Sequence, residues 1–305
     1  MKIITINEND SGQRVDKFLS KLLVGMPRSL LYKQLRNKRV KRNKKALAAQ
    51  DILSAGDELY LYINDEFFGK TKEITASSKG LCVVYEDENI IVCDKPAGQA
   101  SHGGDDSFLS QLQAYLFEKG EYNPSAENSF APGLCNRLDK NTRGLLIGAK
   151  NAAAQKIMNE KIKNHEVKKQ YRCIVCGEIK KKAGRLANWI LSSETENRVR
   201  VVQKEKAGAK EAVLDYKVLA VKNGKSLLNV TLLTGRKHQI RVQFSYIGHP
   251  LLGDTKYGAP KDDRFRYQAL CAHSLTFDFK DDSGVLGNLK GKTVSIEETV
   301  FEDMQ

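Results

Sequence analysis

The sequence has no run of roughly 18 apolar residues, the length a membrane-spanning helix needs, so no such span is expected. Its opening residues, "MKIITINENDSGQRVDKF", carry neither an apolar signal core nor a cleavage pattern, and a cytoplasmic location is expected. Neither glycine-rich phosphate loop is found, GxGxxG after a strand or GxxxxGK(S/T), so no nucleotide cofactor is expected. The GxSxG elbow of serine hydrolases is absent as well. Histidine is scarce, at five residues, and none form an HxH or HxxxH pair. His238, His249 and His273 therefore read as turn-shaping or packing residues, and no metal is expected. The six cysteines are scattered, mostly in apolar strand-like runs, as buried reduced thiols are. The one close pair, Cys173 and Cys176, lies in a strand-like stretch, where a separation of three puts the two thiols on opposite faces.

What the sequence has in excess is positive charge. Lys and Arg number 50 against 37 Asp and Glu, a net +13, and the pI is about 9.3. Such a balance points to a polyanionic partner, most often nucleic acid. Part of the charge is concentrated: from Arg28 to Lys45 there are nine basic residues and no acid. A run this one-sided repels itself unless an anion faces it.

Periodicity divides the chain. "RVDKFLSKLL" (14–23) spaces Val15, Phe18, Leu19, Leu22 and Leu23 as a helix does, and Pro27 suits the first turn of a second helix. Short strands with turns at Asn43 and Ala55-Gly56-Asp57 follow. Residues 66–80 lack a period and read as a linker. Beyond it, "LCVVYEDENIIVCDKPAG" reads as two strands around a turn, followed by a helix over "SFLSQLQAYLFEKG". "LLIGAK", "KQYRCIVCGEI", "AVLDYKVLAV", "SLLNVTLLTG" and "ALCAHSLTFDF" read as strands and "AAAQKIMNEKIKNHEV" as a helix. "HQIRVQF" alternates as a strand does, with Ile240 and Val242 on one face and Arg241 on the other. The polar, basic stretch 194–211 is expected to cover a substrate. Strands and helices without a regular βαβ repeat argue for an α+β fold.

One carboxylate stands out. In "NRLDKNTRGLLI" (136–147), Asp139 sits among cations just before a strand. A carboxylate that acts as nucleophile or base must be oriented and ionised, and a neighbouring guanidinium does both. Arg137, two residues away, points to the same side if the segment is extended, and Arg241 is the second candidate. Taken on its own, Asp139 reads more readily as a turn or cap residue.

Five motifs in order change that balance: "EDENIIVCDKPAGQASH", "NRLDKNTRGLLIGAKN", "KKQYRCIVCG", "TGRKHQIRVQFSYIGHPLLGDTKYG" and "ALCAHSLTF". Together, over about residues 81–280, they closely resemble the RluA-like family of pseudouridine synthases. The start, "GQRVDKFLSKLL", a second basic helix and "AGDEL", resembles the S4 domain, a small RNA-binding module, which suggests the branch acting on large-subunit ribosomal RNA. The resemblance implies an α+β catalytic domain with a mixed, largely antiparallel central sheet at 81–305, joined by the 66–80 linker to an S4-like α/β domain at 1–65. It implies Asp139 as the catalytic aspartate, Tyr171 stacking on the target base, Arg241 paired with the aspartate and Leu275 against the base. Arg137 and, in the S4-like domain, Lys38, Arg39, Lys41 and Arg42 become candidate RNA contacts. Three positions depart from the family's habit: Asn136 where histidine is common, Arg143 where serine is common and Lys237 where threonine is common. The implied reaction is an isomerisation without redox change and needs no cofactor. The expected enzyme is a monomer with RNA as its partner and no membrane. The same chemistry on tRNA, or a non-catalytic ribosome-assembly factor, are the rival readings.

Overall fold

The computed structural model describes residues 1–69, 73–193, 198–204, 206–262 and 264–296. The N-terminal part holds β1 (Lys2–Thr5), α1 (Val15–Leu22), α2 (Arg28–Arg36), β2 (Val40–Arg42), β3 (Lys45–Ala46) and β4 (Glu58–Leu61). Its antiparallel sheet has the order β1-β4-β2-β3. The residues with helical spacing in α1 and α2, Val15, Phe18, Leu19, Leu31 and Leu35, meet Val40, Leu59 and Leu61 in a separate core. The stretch read as a linker contributes to a short 3-10 helix, Asp65–Phe67, and Phe67 and Phe68 pack on this core.

The larger part contains β5 (Cys82–Glu86), β6 (Ile90–Lys95), α3 (Phe108–Glu118), β7 (Gly133–Leu134), β8 (Arg143–Ala149), α4 (Ala152–Lys163), β9 (Val167–Cys176), β10 (Ala183–Ser193), β11 (Arg198–Val202), β12 (Lys210–Lys222), β13 (Lys225–Leu232), α5 (Gln239–Tyr246), β14 (Leu270–Phe277) and β15 (Thr293–Ser295). One mixed sheet runs β11-β10-β12-β13-β9-β14-β8-β6-β5, with β7 beside β8 and β15 beside β14. Its pairings are antiparallel except β14 with β8. The central strands are apolar in successive residues because both faces are covered. Ile90, Val92, Leu145 and Ile147 join Met158 of α4 on one side. Ile91, Cys93 and Leu146 join Phe108 and Leu112 of α3 and Phe244 of α5 on the other. Cys173 and Cys176 fall to opposite sides, as their spacing implied.

At the one parallel contact among the described residues, Gly144 (φ +129°) pairs with Ala272. A Cβ there would lie 2.4 Å from the Ala272 carbonyl oxygen, so only glycine lets β8 approach β14. The two parts of the molecule are tied by polar contacts. Asp10 accepts from Ser129 Oγ at 2.6 Å and Asn128 Nδ2 at 2.7 Å, and Asn9 Oδ1 accepts from the Ala152 backbone N–H at 3.0 Å.

The stretch read as a strand at 239–246 is a helix, and the difference has a physical cause. Alternation of polar and apolar residues signals a strand only when the polar ones face water. In α5 residues 239–244 are all buried, and their polar side chains hydrogen-bond inside the protein, with the Gln243 Oε1 atom left without a partner among the described residues. Gln239 accepts from Arg236 N and donates to Val213 O; Gln243 donates to Asn188 Oδ1 and Ala212 O. Of the basic stretch expected to cover a substrate, 194–197 and 205 lie outside the described residues. The remainder includes β11, the edge strand of the sheet, and the start of β12, which lies between β10 and β13. Among the described residues no helix is long and apolar enough to cross a membrane.

Candidate active site

Asp139 lies in the segment between β7 and β8, and that segment is pinned on both sides. Asn136 Oδ1 accepts from Ile147 N at 2.8 Å and its Nδ2 donates to Leu145 O at 3.2 Å. Ser101 Oγ donates to Leu138 O at 2.8 Å and accepts from Leu138 N at 3.2 Å. Thr142 N closes the turn on Asp139 O at 3.0 Å. Beneath it, the fully buried Lys95 ammonium donates to Pro96 O, Gln99 O and Lys140 O at 2.7, 2.9 and 3.1 Å, using all three of its N–H groups. Burial pushes the Lys95 pKa down to about 8, against the opposing pull of Asp139 and Asp94. With its flanks held, the Asp139 side chain is left at the rim of a cleft, 27% exposed.

Arg241, in the first turn of α5, reaches Asp139 Oδ2 through Nη1 at 3.2 Å. Its other edge is committed to Asp254, Nε to Oδ2 at 2.6 Å and Nη2 to Oδ1 at 2.8 Å. This two-point pairing fixes the plane of the guanidinium, so the remaining N–H edge is aimed before any ligand arrives. Burial lowers the Arg241 pKa, but Asp254 and then Asp139 outweigh it and hold the group above its ordinary value. The guanidinium also lies over the Tyr257 ring, 5.0 Å from its centre. Asp254 follows Gly253 (φ +76°), where a Cβ would come within 2.6 Å of the Tyr267 carbonyl oxygen, so the turn that delivers the carboxylate requires glycine.

His238 approaches the same carboxylate oxygen, its Nε2 3.7 Å from Asp139 Oδ2. Its backbone is left-handed (φ 52°) at the start of α5, a conformation a non-glycine residue keeps only when the surroundings enforce it. Burial pushes its pKa down to about 4; Asp139 opposes the shift, while Arg241, Lys256 and Lys237 reinforce it. The imidazole is therefore neutral at neutral pH. Its Nδ1 faces the Tyr257 hydroxyl at 2.7 Å, and that hydroxyl already accepts from Val199 N at 3.1 Å. The proton arrangement without facing lone pairs puts Tyr257 O–H on Nδ1 and the ring proton on Nε2, toward Asp139.

Tyr171, on β9, is buried against the same core face as Leu138 and Ala272. Burial first, and the Asp139 charge second, push its phenol above the ordinary range, so it stays protonated. Asp139, Tyr171 and Arg241 line one small cavity with Arg137, Leu232 and Leu270. It opens to a cleft of about 510 Å³ that includes Asp139, Tyr171, Arg137, Lys169 and Leu232, and to one of about 310 Å³ beside Arg241, Asp254 and Lys256.

The structure thus brings together Asp139, Tyr171 and Arg241, with Arg137 exposed at the cavity mouth. Arg137 makes no ion pair with Asp139 among the described residues; the chain bends at 135–136, and 137–139 is irregular, hooked on Ser101 through Leu138, and not part of a strand. Leu275 is elsewhere. Alternation along β14 puts it with Cys271 and Phe277 in the core on the α4 side, while Leu270 and Ala272 face Tyr171. Leu232 and Leu270 hold the apolar positions in the cavity. In the N-terminal part, Lys38 and Arg39 are exposed and Lys41 lies over the Tyr62 ring. Arg42 is spent internally on Ile52 O at 2.8 Å and Asp57 at 3.2 Å. Sequence reasoning passed over Asp254, Tyr257 and Lys95, and read His238 as a turn-shaping or packing residue. The one local signal for Asp254 was a glycine–aspartate pair inside a turn-rich stretch close behind Arg241.

A family model for RNA pseudouridylate synthase matches residues 89–246, over half of the chain. The chain is 30% identical over 270 residues to a ribosomal large subunit pseudouridine synthase C of Escherichia coli K12, covering 87% of this chain and 82% of that protein. It is 30% identical over 301 residues to an RNA pseudouridine synthase of Bacillus subtilis, covering 99% and 95%. Two solved human structures, RNA pseudouridylate synthase domain containing 4 and 1, share the fold at TM-scores of 0.56 and 0.55 and 23% and 24% identity. They cover 71% and 73% of this chain, and 88% and 93% of theirs. The resemblance carried by the motifs is borne out, and the chain belongs to the RNA pseudouridylate synthase family.

Proposed function

We propose that this enzyme isomerises particular uridines of large-subunit ribosomal RNA to pseudouridine, with Asp139 as its catalytic carboxylate. The observation that carries the assignment is the Asp139 side chain, which enters the cavity beside Tyr171 with one oxygen held by a guanidinium that is itself clamped. In the reaction the N1–C1′ bond breaks, the uracil turns, and C5 bonds to C1′. The C5 proton leaves and N1 gains one, so atoms and electrons balance without a co-reactant. A carboxylate oriented at the sugar is suited to this either as nucleophile on C1′ or as base on the ribose. The target base must leave its stack, which costs a few kcal/mol, and stacking on Tyr171 offsets part of that.

The ribosomal target is supported by relatives such as the Escherichia coli ribosomal large subunit pseudouridine synthase C. Residues 1–65 are assigned as an S4-like RNA-binding domain, 66–80 as the linker and 81–305 as the catalytic domain. Lys38, Arg39 and Lys41 are the candidate phosphate contacts of the first, and Arg137 is a further contact at the cavity mouth. The enzyme is assigned to the cytoplasm as a monomer. Pseudouridine mapping of total RNA from cells with and without the gene tests this directly. Loss of one or more sites in large-subunit ribosomal RNA is expected, and an unchanged map in ribosomal RNA refutes the target.

A further inference from the structure

We infer that Lys169 is a phosphate-binding residue of the substrate cleft, gripping a backbone phosphate of the nucleotide whose base stacks on Tyr171. This role rests on the RNA-isomerising activity proposed above.

Lys169 lies on β9 two residues before Tyr171, about 7 Å away along the strand. Both line the cleft of about 510 Å³ that contains Asp139. Its cross-strand neighbours are Leu232 on β13 and Leu275 on β14, whose side chains offer no acceptor. Among the described residues the half-buried ammonium has no hydrogen-bond or carboxylate partner. Burial pushes its pKa below the ordinary lysine range, and no acid counters that push.

A lysine in this position is unfavourable for folding alone, since a desolvated charge without a partner costs free energy that a methionine of similar length does not. What compensates it must come from the ligand. The cleft says which kind. Of the described residues that line it, Arg137, Lys140, Lys169, Arg236 and Lys237 are cationic, and Asp139 is the one acid. Such a wall selects an anion, and the anion RNA carries at every residue is the phosphate. Tyr171 and Lys169 then read the two ends of one nucleotide, the base and the phosphate, with the ribose between them near Asp139.

The test uses the full-length enzyme and a short synthetic RNA containing the mapped uridine, with and without a neutral methylphosphonate at a phosphate flanking that uridine. Lys169→Met should weaken binding of the normal RNA roughly tenfold or more, the size of one charge-assisted hydrogen bond. It should flatten the slope of log affinity against log salt by about 0.7. The methylphosphonate should weaken binding by wild type at one flanking position and have no further effect on Lys169→Met. Lys169→Arg should retain most affinity. The melting temperature of Lys169→Met should equal or exceed that of wild type, which separates a ligand-binding lysine from a structural one. Unchanged affinity and slope in Lys169→Met overturn the inference, as does a lowered melting temperature or equal sensitivity of both proteins to the methylphosphonate. A wild-type protein that makes no pseudouridine refutes the functional reading instead, whatever Lys169 does.

Discussion

Replacing Arg241 has two separable consequences. The guanidinium is 8% exposed and spans two carboxylates, one at the rim (Asp139) and one 1% exposed (Asp254). Arg241→Met removes the N–H that orients Asp139 and also strands Asp254 without its partner. Breaking a buried pair by deleting one member typically costs about 3–5 kcal/mol, so the single variant should be strongly destabilised as well as inactive. The double variant Arg241→Met/Asp254→Leu replaces the whole pair by apolar side chains and should recover most of that stability. It should not recover turnover, because Asp139 still lacks its guanidinium. Asp254→Leu alone keeps the charge near Asp139 but loses the two-point clamp, and its turnover should fall on the order of a hundredfold, the scale of a 1 Å misplacement. Urea denaturation and single-turnover pseudouridine formation at saturating enzyme measure the two effects on the same proteins. The reasoning is wrong if Arg241→Met is as stable as wild type, or if the double variant turns over at the wild-type rate.

Other consequences can be checked alongside. His238 is held neutral, with its pKa pushed down to about 4 from an ordinary 6.5; its contribution to stability is complete above about pH 6.5 and is lost as pH falls toward 4, where the unfolded chain binds the proton more readily. His238→Gln should therefore flatten the pH dependence of the melting temperature in that window, and an identical dependence counts against the buried neutral ring. Gly144→Ala would place a Cβ 2.4 Å from the Ala272 carbonyl oxygen at a φ of +129°, and overpacking against backbone should destabilise by about 1–3 kcal/mol; an unchanged urea midpoint contradicts this. Lys38→Ala, Arg39→Ala and Lys41→Ala together should flatten the salt slope of RNA binding by roughly 0.7 to 0.9 for each phosphate no longer neutralised, whereas Arg42→Ala, which breaks the Asp57 pair, should lower the melting temperature and leave the slope nearly unchanged.

The amphipathic helices were legible from their one wet face, and β6 and β8 from continuous apolar runs although both of their faces are covered. α1, with Val15, Phe18 and Leu19 inward, is such a helix, and so is α3, with Ser107 as its cap. α5 was not legible, because Gln239, Arg241 and Gln243 are buried and their pattern imitates a strand. The reacting centre divides the same way. Asp139, Tyr171 and Arg241 sit in long motifs, and the structure brings their side chains to one cavity. The residues that hold them there act across the fold: Asp254 through a turn, His238 through a left-handed backbone, and Lys95 through three carbonyls. Such partners leave no periodic mark, since only tertiary structure brings Lys95 to the Lys140 carbonyl. Leu275 and Arg137 mark the opposite limit, where being near a motif in sequence did not decide which side of the sheet or of a bend a side chain takes.

The carboxylate of Asp139 is the centre of the proposed chemistry, and the most direct test is Asp139→Asn in a single-turnover assay at saturating enzyme. The substitution keeps the size and leaves one oxygen for Arg241 while removing the charge. Product formation should be abolished with the melting temperature preserved and RNA affinity within about a factor of ten of wild type, since phosphate contacts supply most of the binding. Pseudouridine formation near the wild-type rate would contradict the central claim.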